Sequence, residues 1–305
     1  MKRAPTAGLS FKPQHFDAAL ADPAAGLWFE VHAENYMVAG GPRLAMLEAL
    51  RHERPLSLHG VGLSLAADAD PDPAHLARLK VLADRFAPFA VSEHLAWSAW
   101  GGVYHGDLLP FPRTAAALER IVRNVDIAQT TLGRRLLIEN PSLYADLDGQ
   151  DMDEAAFLGA LVRRTGCGLL VDVNNAFISA HNLGLDAGAY LDALPADAIG
   201  EVHLAGHAPD PELGEALLID THGAPVAEPV WSLYRRLIAR IGPRPTLIER
   251  DQEVPPFATL MAERQRAADM LARLPDAPAT RSAPEPAPEP APEPAPEPAP
   301  EPAHV

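Results

Sequence analysis

Gly168–Val173 reads GLLVDV, a short run that is apolar but for one acid and is followed directly by two amides, Asn174 and Asn175. A nearly continuous apolar run of this length fits a parallel β-strand buried on both faces, and its polar end fits a strand that delivers side chains to a site. Working outward, runs of the same kind recur at Leu9–Lys12, Leu27–His32, Leu56–Leu63, Ala90–Leu95, Leu136–Glu139, Gly200–Leu204 and Thr246–Glu249. Between them lie segments with apolar residues at helical spacing, among them Arg43–Arg51, Ala74–Phe86, Ala115–Thr131, Glu154–Arg164 and Val230–Ile241. Strands alternating with helices, without a Gly-rich phosphate loop, predict an α/β fold: a single (β/α)8 TIM barrel of the xylose-isomerase-like kind over residues 1–274. The stretches Asn175–Leu194 and Ala208–Glu228 are expected to be long loops, where function often resides.

The 305 residues are 48% hydrophobic and 22% charged, as a globular chain with a large core should be. From Ala283 the sequence repeats APEP, which predicts an extended, solvated tail over 275–305 that acts as a spacer. The formal charge is −16, and only five of the acids lie in that repeat, so the body is acidic too. Phosphate binding rests on clustered Lys and Arg, so nucleic acid and anionic membrane are not expected partners. No apolar run is long enough to span a bilayer, and the N-terminus lacks the apolar stretch of a secretory signal. Cys167 is the single cysteine, which excludes a disulfide framework and makes the cytoplasm the expected compartment.

The chemistry is written at the strand ends. Run three closes on SLHG (His59), run four on SEHLAW (His94), run five on LLIENPS (Glu139) and run six on LLVDVNNA (Asp172, Asn175). Run seven gives EVHLAGH (His203, His207) and run eight gives LIERDQE (Glu249), while the loops add His181 in SAHN and Asp220 with His222 in IDTHG. A single such residue is usually a hydrogen-bonded rim group. A barrel, however, gathers all its strand C-termini on one face. Several carboxylates in one buried pocket repel unless a cation resides among them. Imidazole and carboxylate without thiolate suit iron, manganese or zinc, and the donors outnumber what one ion uses. Asp220 and His222, two apart in an extended segment, would grip one ion together.

Other residues are assigned lesser parts. His32 and Glu34 are expected to line the pocket, and His207 to support a ligand from behind. His15, His52 and His75 are expected on the surface, and His105 in an exposed loop. Trp97, Trp100 and Tyr104 wall a groove or pack over the rim, and Cys167 takes no catalytic role.

Taken together, EVHAENYM, SLHGVGLSL, SEHLAW, LLIENPS, VDVNNAF, EVHLAGH, DTHG and LIERD, in this order, resemble the multinuclear non-heme iron-dependent oxidative enzymes, the family of the methanobactin biosynthesis oxidase. The resemblance covers about Gly8 to Leu274. It implies a TIM barrel with two or three iron ions, O2 as co-substrate, and oxidative modification of cysteine residues in a ribosomally made precursor peptide. It also implies a small partner protein that presents the peptide. By matching position, His59, His94, Glu139, Asp172, His203 and Glu249 look like the core ligands that carry catalysis. Asn175, His181, Asp220 and His222 look like those that complete the cluster. The opening AGLSFK and the YHGD loop differ from the usual family pattern. The competing readings are a zinc- or manganese-dependent TIM-barrel isomerase or hydrolase, and a non-catalytic metal-binding module.

Overall fold

The computed structural model describes residues 6–101 and 103–274; the APEP tail over 275–305 lies outside the described residues. Eight strands form a closed barrel: β1 (Ala7–Ser10), β2 (Phe29–His32), β3 (Leu56–Gly60), β4 (Ala90–His94), β5 (Leu137–Glu139), β6 (Gly168–Asp172), β7 (Ile199–Leu204) and β8 (Thr246–Ile248). Each pairs in parallel with its neighbours in sequence, and β8 closes the ring on β1, Thr246 facing Ala7. The eight expected runs are these strands, displaced by no more than three residues at any end.

Helices follow the strands in turn: α1 (Phe16–Ala21), α2 (Pro42–Glu53), α3 (Pro73–Phe86), α4 (Ala115–Leu132), α5 (Glu154–Thr165), α6 (Val173–Leu183), α7 (Ala187–Ala193), α8 (Glu228–Ile241) and α9 (Phe257–Ala272). Five of them start on a side chain that takes up an unpaired backbone N–H: Asp72, Thr114, Asp153, Asp172 and Asp186. α4, α5 and α6 stop at Gly133, Gly166 and Gly184, each left-handed as glycine alone adopts freely.

Period-two alternation divides each strand between two environments. Leu58, Val91, Ile138, Val171, Val202 and Ile248 are buried in the hydrophobic cluster shared with the helices, which stabilises the fold by about 2 kcal/mol for each such side chain. The opposite set is polar: Glu30 and His32 on β2, Ser57 and His59 on β3, Ser92 and His94 on β4, Glu201 and His203 on β7. Ser57 Oγ donates to Glu201 Oε2 at 3.1 Å. β3 and β7 stand on opposite sides of the ring, so this bond crosses the barrel interior.

Two expected loops are corrected. Asn175–Leu194 holds α6 and α7: Asp172 caps the first directly at the end of β6, and Val173, Ala176 and Ile178 supply its buried face. Ala208–Glu228 contains an antiparallel pair, Ala208–Asp210 with Gly214–Ile219. A second hairpin, Trp97–Trp100 with Val103–Leu109, follows β4. Among the described residues no helix is long and apolar enough to cross a membrane.

Candidate metal centre

The C-terminal ends of β3, β4 and β5 bring His59, His94 and Glu139 together. Glu139 Oε2 lies 3.1 Å from His59 Nε2 and 3.3 Å from His94 Nε2, and the two nitrogens are 3.4 Å apart. The other ring nitrogens are committed. His94 Nδ1 is 3.2 Å from the Gly60 carbonyl, which only accepts, so Nδ1 carries the proton. His59 Nδ1 is 2.8 Å from Ser92 Oγ, whose hydroxyl is turned to the Leu58 carbonyl. With Nδ1 engaged on both rings, the two Nε2 atoms turn towards each other and towards the Glu139 carboxylate. Metal bonds of about 2.1 Å set neighbouring donors roughly 3.0 to 3.5 Å apart, the spacing seen here. Gly60 makes room: a Cβ there would fall 2.4 Å from Glu93 Oε2.

Two further triads continue from the first, each sharing one donor with the triad before it. Glu139, Asp172 and His203 form one, and Asp172, His222 and Glu249 the other, each with ligand atoms within 4.8 Å. Glu139 links the first triad to the second, and Asp172 links the second to the third. Glu249 Oε2 stands 3.1 Å from His203 Nδ1, while its Oε1 lies 3.6 Å from both His32 Nε2 and His222 Nδ1. Asp172 Oδ1 caps α6 through Asn175 N at 2.7 Å, leaving Oδ2 buried without a hydrogen-bond partner.

The remaining sequence candidates divide. Asp220 joins through His222, its Oδ1 2.8 Å from Nε2 and accepting from Asn174 Nδ2 at 2.9 Å. The expected extended geometry does not hold: His222 has φ +49°, and the turn sets the two side chains face to face. Asn175 is buried beside Asp172, with Oδ1 lacking a partner. His181 is not brought to the cluster. α6 carries it about 13 Å along the helix from Asp172, at 1.5 Å per residue, and its Nε2 lies 2.7 Å from the Glu215 carbonyl.

His207 Nδ1 is 2.7 Å from Asn174 Oδ1, and Asn174 in turn donates to Asp220 Oδ1. His75, expected on the surface, instead packs 3.2 Å from Glu34 Oε1, which also accepts from Val61 N. His105 is exposed and its ring meets that of Trp97; the Trp100 side chain lies outside the described residues.

Sequence reasoning missed Glu30, Glu93, Glu201 and Asp251. All but Asp251 are buried carboxylates. Asp251 Oδ2 lies 3.2 Å from His222 Nδ1. The signal for two of them was present: EVH occurs in both β2 and β7, and alternation sends a glutamate two residues before an inward histidine to the same face.

Crowding leaves its mark on protonation. Burial opposes ionisation of Glu139, yet the imidazoles of His94 and His59 outweigh it and hold the carboxyl down at about 2. Burial likewise disfavours charge on His59, but Glu139 and Glu30 raise it to about 10. Asp172 is pushed well above the ordinary range by burial, Asp220 and Glu139. Burial and Glu30 raise Glu201 to about 8; burial and Glu34 raise Glu93 to about 8. Three buried oxygens in this region have neither a hydrogen-bond nor an ion-pair partner: Glu30 Oε2, Asp172 Oδ2 and Asn175 Oδ1. Unpaired buried polar atoms are costly, and a set of oxygen and imidazole donors fits divalent cations.

A closed (β/α)8 barrel with linked imidazole–carboxylate triads at its C-terminal mouth defines the class. The particular family follows from comparison: the chain belongs to the family described as RiPP precursor modification enzyme MbnB/TglH/ChrH, whose profile matches residues 6–272. It is 70% identical over 268 residues to a UPF0276 protein of Caulobacter vibrioides, covering 88% of this chain and 95% of that one. A UPF0276 protein of Bordetella bronchiseptica is 51% identical, over 88% of this chain and 93% of that one.

Among solved structures, D-psicose 3-epimerase from Clostridium cellulolyticum is similar with a TM-score of 0.57 at 11% identity, over 88% of this chain and 98% of that one. Endonuclease IV from Thermus thermophilus gives 0.54 at 19%, over 88% and 99%. A xylose isomerase domain protein from Planctomyces limnophilus gives 0.51 at 14%, over 88% and 96%. Identities this low show the shared barrel and nothing of the chemistry.

Proposed function

We propose that this chain is a cytoplasmic, iron-dependent enzyme that uses O2 to oxidise cysteine residues of a ribosomally made precursor peptide. The observation that carries the reading is the run of three triads linked through Glu139 and Asp172, because shared carboxylates are how neighbouring ions are held at close range. Two or three ions fit that run. Family membership supports a peptide as the substrate.

The chain's own residues divide the work. His59, His94 and Glu139 hold one position; Glu139, Asp172 and His203 the next; Asp172, His222 and Glu249 the third, with Asn175 and Asp220 at its edge. Bound there, iron would supply the site for a peptide thiolate and the electrons with which O2 is reduced. Asn174 keeps Asp220 turned towards His222. Ser92 and the Gly60 carbonyl keep His59 and His94 in the tautomer that leaves Nε2 free. The hairpin Trp97–Leu109 exposes Val103, Tyr104 and Leu108, apolar surface suited to a peptide or to a small partner that presents one.

The test is turnover by anaerobically purified, iron-loaded protein given a cysteine-containing precursor peptide and then air. O2 consumption that scales with modified peptide is expected. Full turnover with zinc or manganese alone and without oxygen would instead establish an isomerase- or hydrolase-type metalloenzyme.

A further inference from the structure

Beneath the metal donors the barrel interior is not apolar, as such interiors ordinarily are. Glu30 and Glu201 lie one pleat below His32 and His203, 2% and 0% exposed. His203, itself fully buried, stands between the two levels. Its Nδ1 faces up, 3.1 Å from Glu249 Oε2 and 3.9 Å from Glu139 Oε1. Its Nε2 faces down, 3.3 Å from Glu30 Oε1 and 3.6 Å from Glu201 Oε1. Glu201 is tethered across the barrel, Oε2 accepting from Ser57 Oγ at 3.1 Å. Glu30 approaches from β2 with Oε1 nearest the ring, and its Oε2 has no partner.

An imidazole with one nitrogen between carboxylates of a metal position and the other against a separate buried carboxylate is oriented by the second group. Carboxylates face both nitrogens, so the ring's own contacts do not choose between them; once Nδ1 gives its lone pair to an ion, the one ring proton is left on Nε2, where Glu30 Oε1 at 3.3 Å is the nearest acceptor. We propose that Glu30 is the positioning residue for His203: it accepts the Nε2 proton and so presents Nδ1 to the position shared with Glu139 and Asp172. The proposal rests on the metal-centre reading. It adds that the second of the three positions depends on a residue too deep to touch an ion through His203 Nδ1's side. Glu201, held by Ser57, forms the other wall and limits where the ring can tilt.

Anaerobic titration of metal-free protein with cobalt(II) tests this, with d–d absorption and bound metal per chain as readouts and thermal melts of the metal-free forms alongside. Needing neither O2 nor peptide, it is independent of the test of oxidation. Glu30→Gln should bind one cobalt per chain about 10- to 100-fold more weakly, with a changed spectrum. Its metal-free Tm should fall by less than its metal-loaded Tm, because the loss of the Glu30–His203 pair is felt in both forms and the loss of metal affinity in only one. Parent-like stoichiometry, affinity and spectrum in Glu30→Gln would overturn the proposal. So would a metal-free Tm that falls as far as the metal-loaded one, the mark of a purely structural role. A parent chain that takes up no cobalt would overturn it together with the metal centre.

Discussion

At the scale of residues, the site is defined by what its nitrogens and oxygens have already given away. His59 and His94 spend their Nδ1 protons on Ser92 and on the Gly60 carbonyl, and their Nε2 atoms then meet Glu139 within 3.4 Å of one another. Glu139→Gln keeps the shape and removes the charge that joins two positions. Metal affinity should fall by roughly 100-fold or more, since even residues behind a ligand cost 10- to 100-fold; inductively coupled plasma analysis of the dialysed variant checks it.

The protonation of His59 supplies a pH test. Its folded value is raised to about 10 from an ordinary 6.5. In the metal-free protein that contribution to stability is therefore complete below pH 6.5 and is lost as pH rises towards 10. The metal-free Tm should decline over that window. Metal uptake must displace the same proton, so affinity should strengthen by up to about tenfold per pH unit for each proton released. Proton release on adding metal, followed in weakly buffered solution, measures it directly.

At the scale of elements, β6 passing straight into α6 is what makes Asp172 serve twice, as helix cap through Oδ1 and as a buried donor through Oδ2. The two roles separate by substitution. Asp172→Asn retains a capping oxygen and should melt within about 0.5 kcal/mol of the parent when metal-free, yet bind less metal. Asp172→Ala loses both, at a further cost of about 1 kcal/mol. Denaturant melts with and without chelator distinguish the outcomes.

The same junction explains why the long segment after β6 was misread. Two asparagines following an acid suggest a loop, but Asp172 caps the first turn and Gly184 ends the helix, so NNAFISAHN winds into α6 and takes His181 away from the mouth. His59, His94, Glu139, His203 and Glu249 were legible because each ends an apolar run. Glu30 and Glu201 carried only the weaker signal of the EVH repeat, and inside the strand they read as ordinary alternation. Only the closed barrel turns that face inward, where a charge cannot be solvated. The hairpin at 97–109 escaped because its Gly-rich turn resembles an exposed loop.

At the scale of the whole molecule, buried carboxylates and imidazoles crowd one end of the barrel, and Asp172 Oδ2 and Asn175 Oδ1 there lack hydrogen-bond partners. Ligand binding to the folded state alone stabilises by linkage, about 4 kcal/mol at a thousandfold excess over Kd. For a barrel of this size that corresponds to a rise in Tm on the order of 10 °C on metal addition, reversed by chelator. Removing residues 275–305 should leave both that rise and the metal content unchanged, because the family match ends at residue 272.

The most direct measurement is the position of metal in crystals of anaerobically prepared protein, located by anomalous scattering at the iron edge. Two or three peaks should appear, the first among His59, His94 and Glu139 and the next between Glu139, Asp172 and His203. A crystal grown in excess iron that shows no peak there, with these side chains hydrogen-bonded to one another around water, would contradict the account.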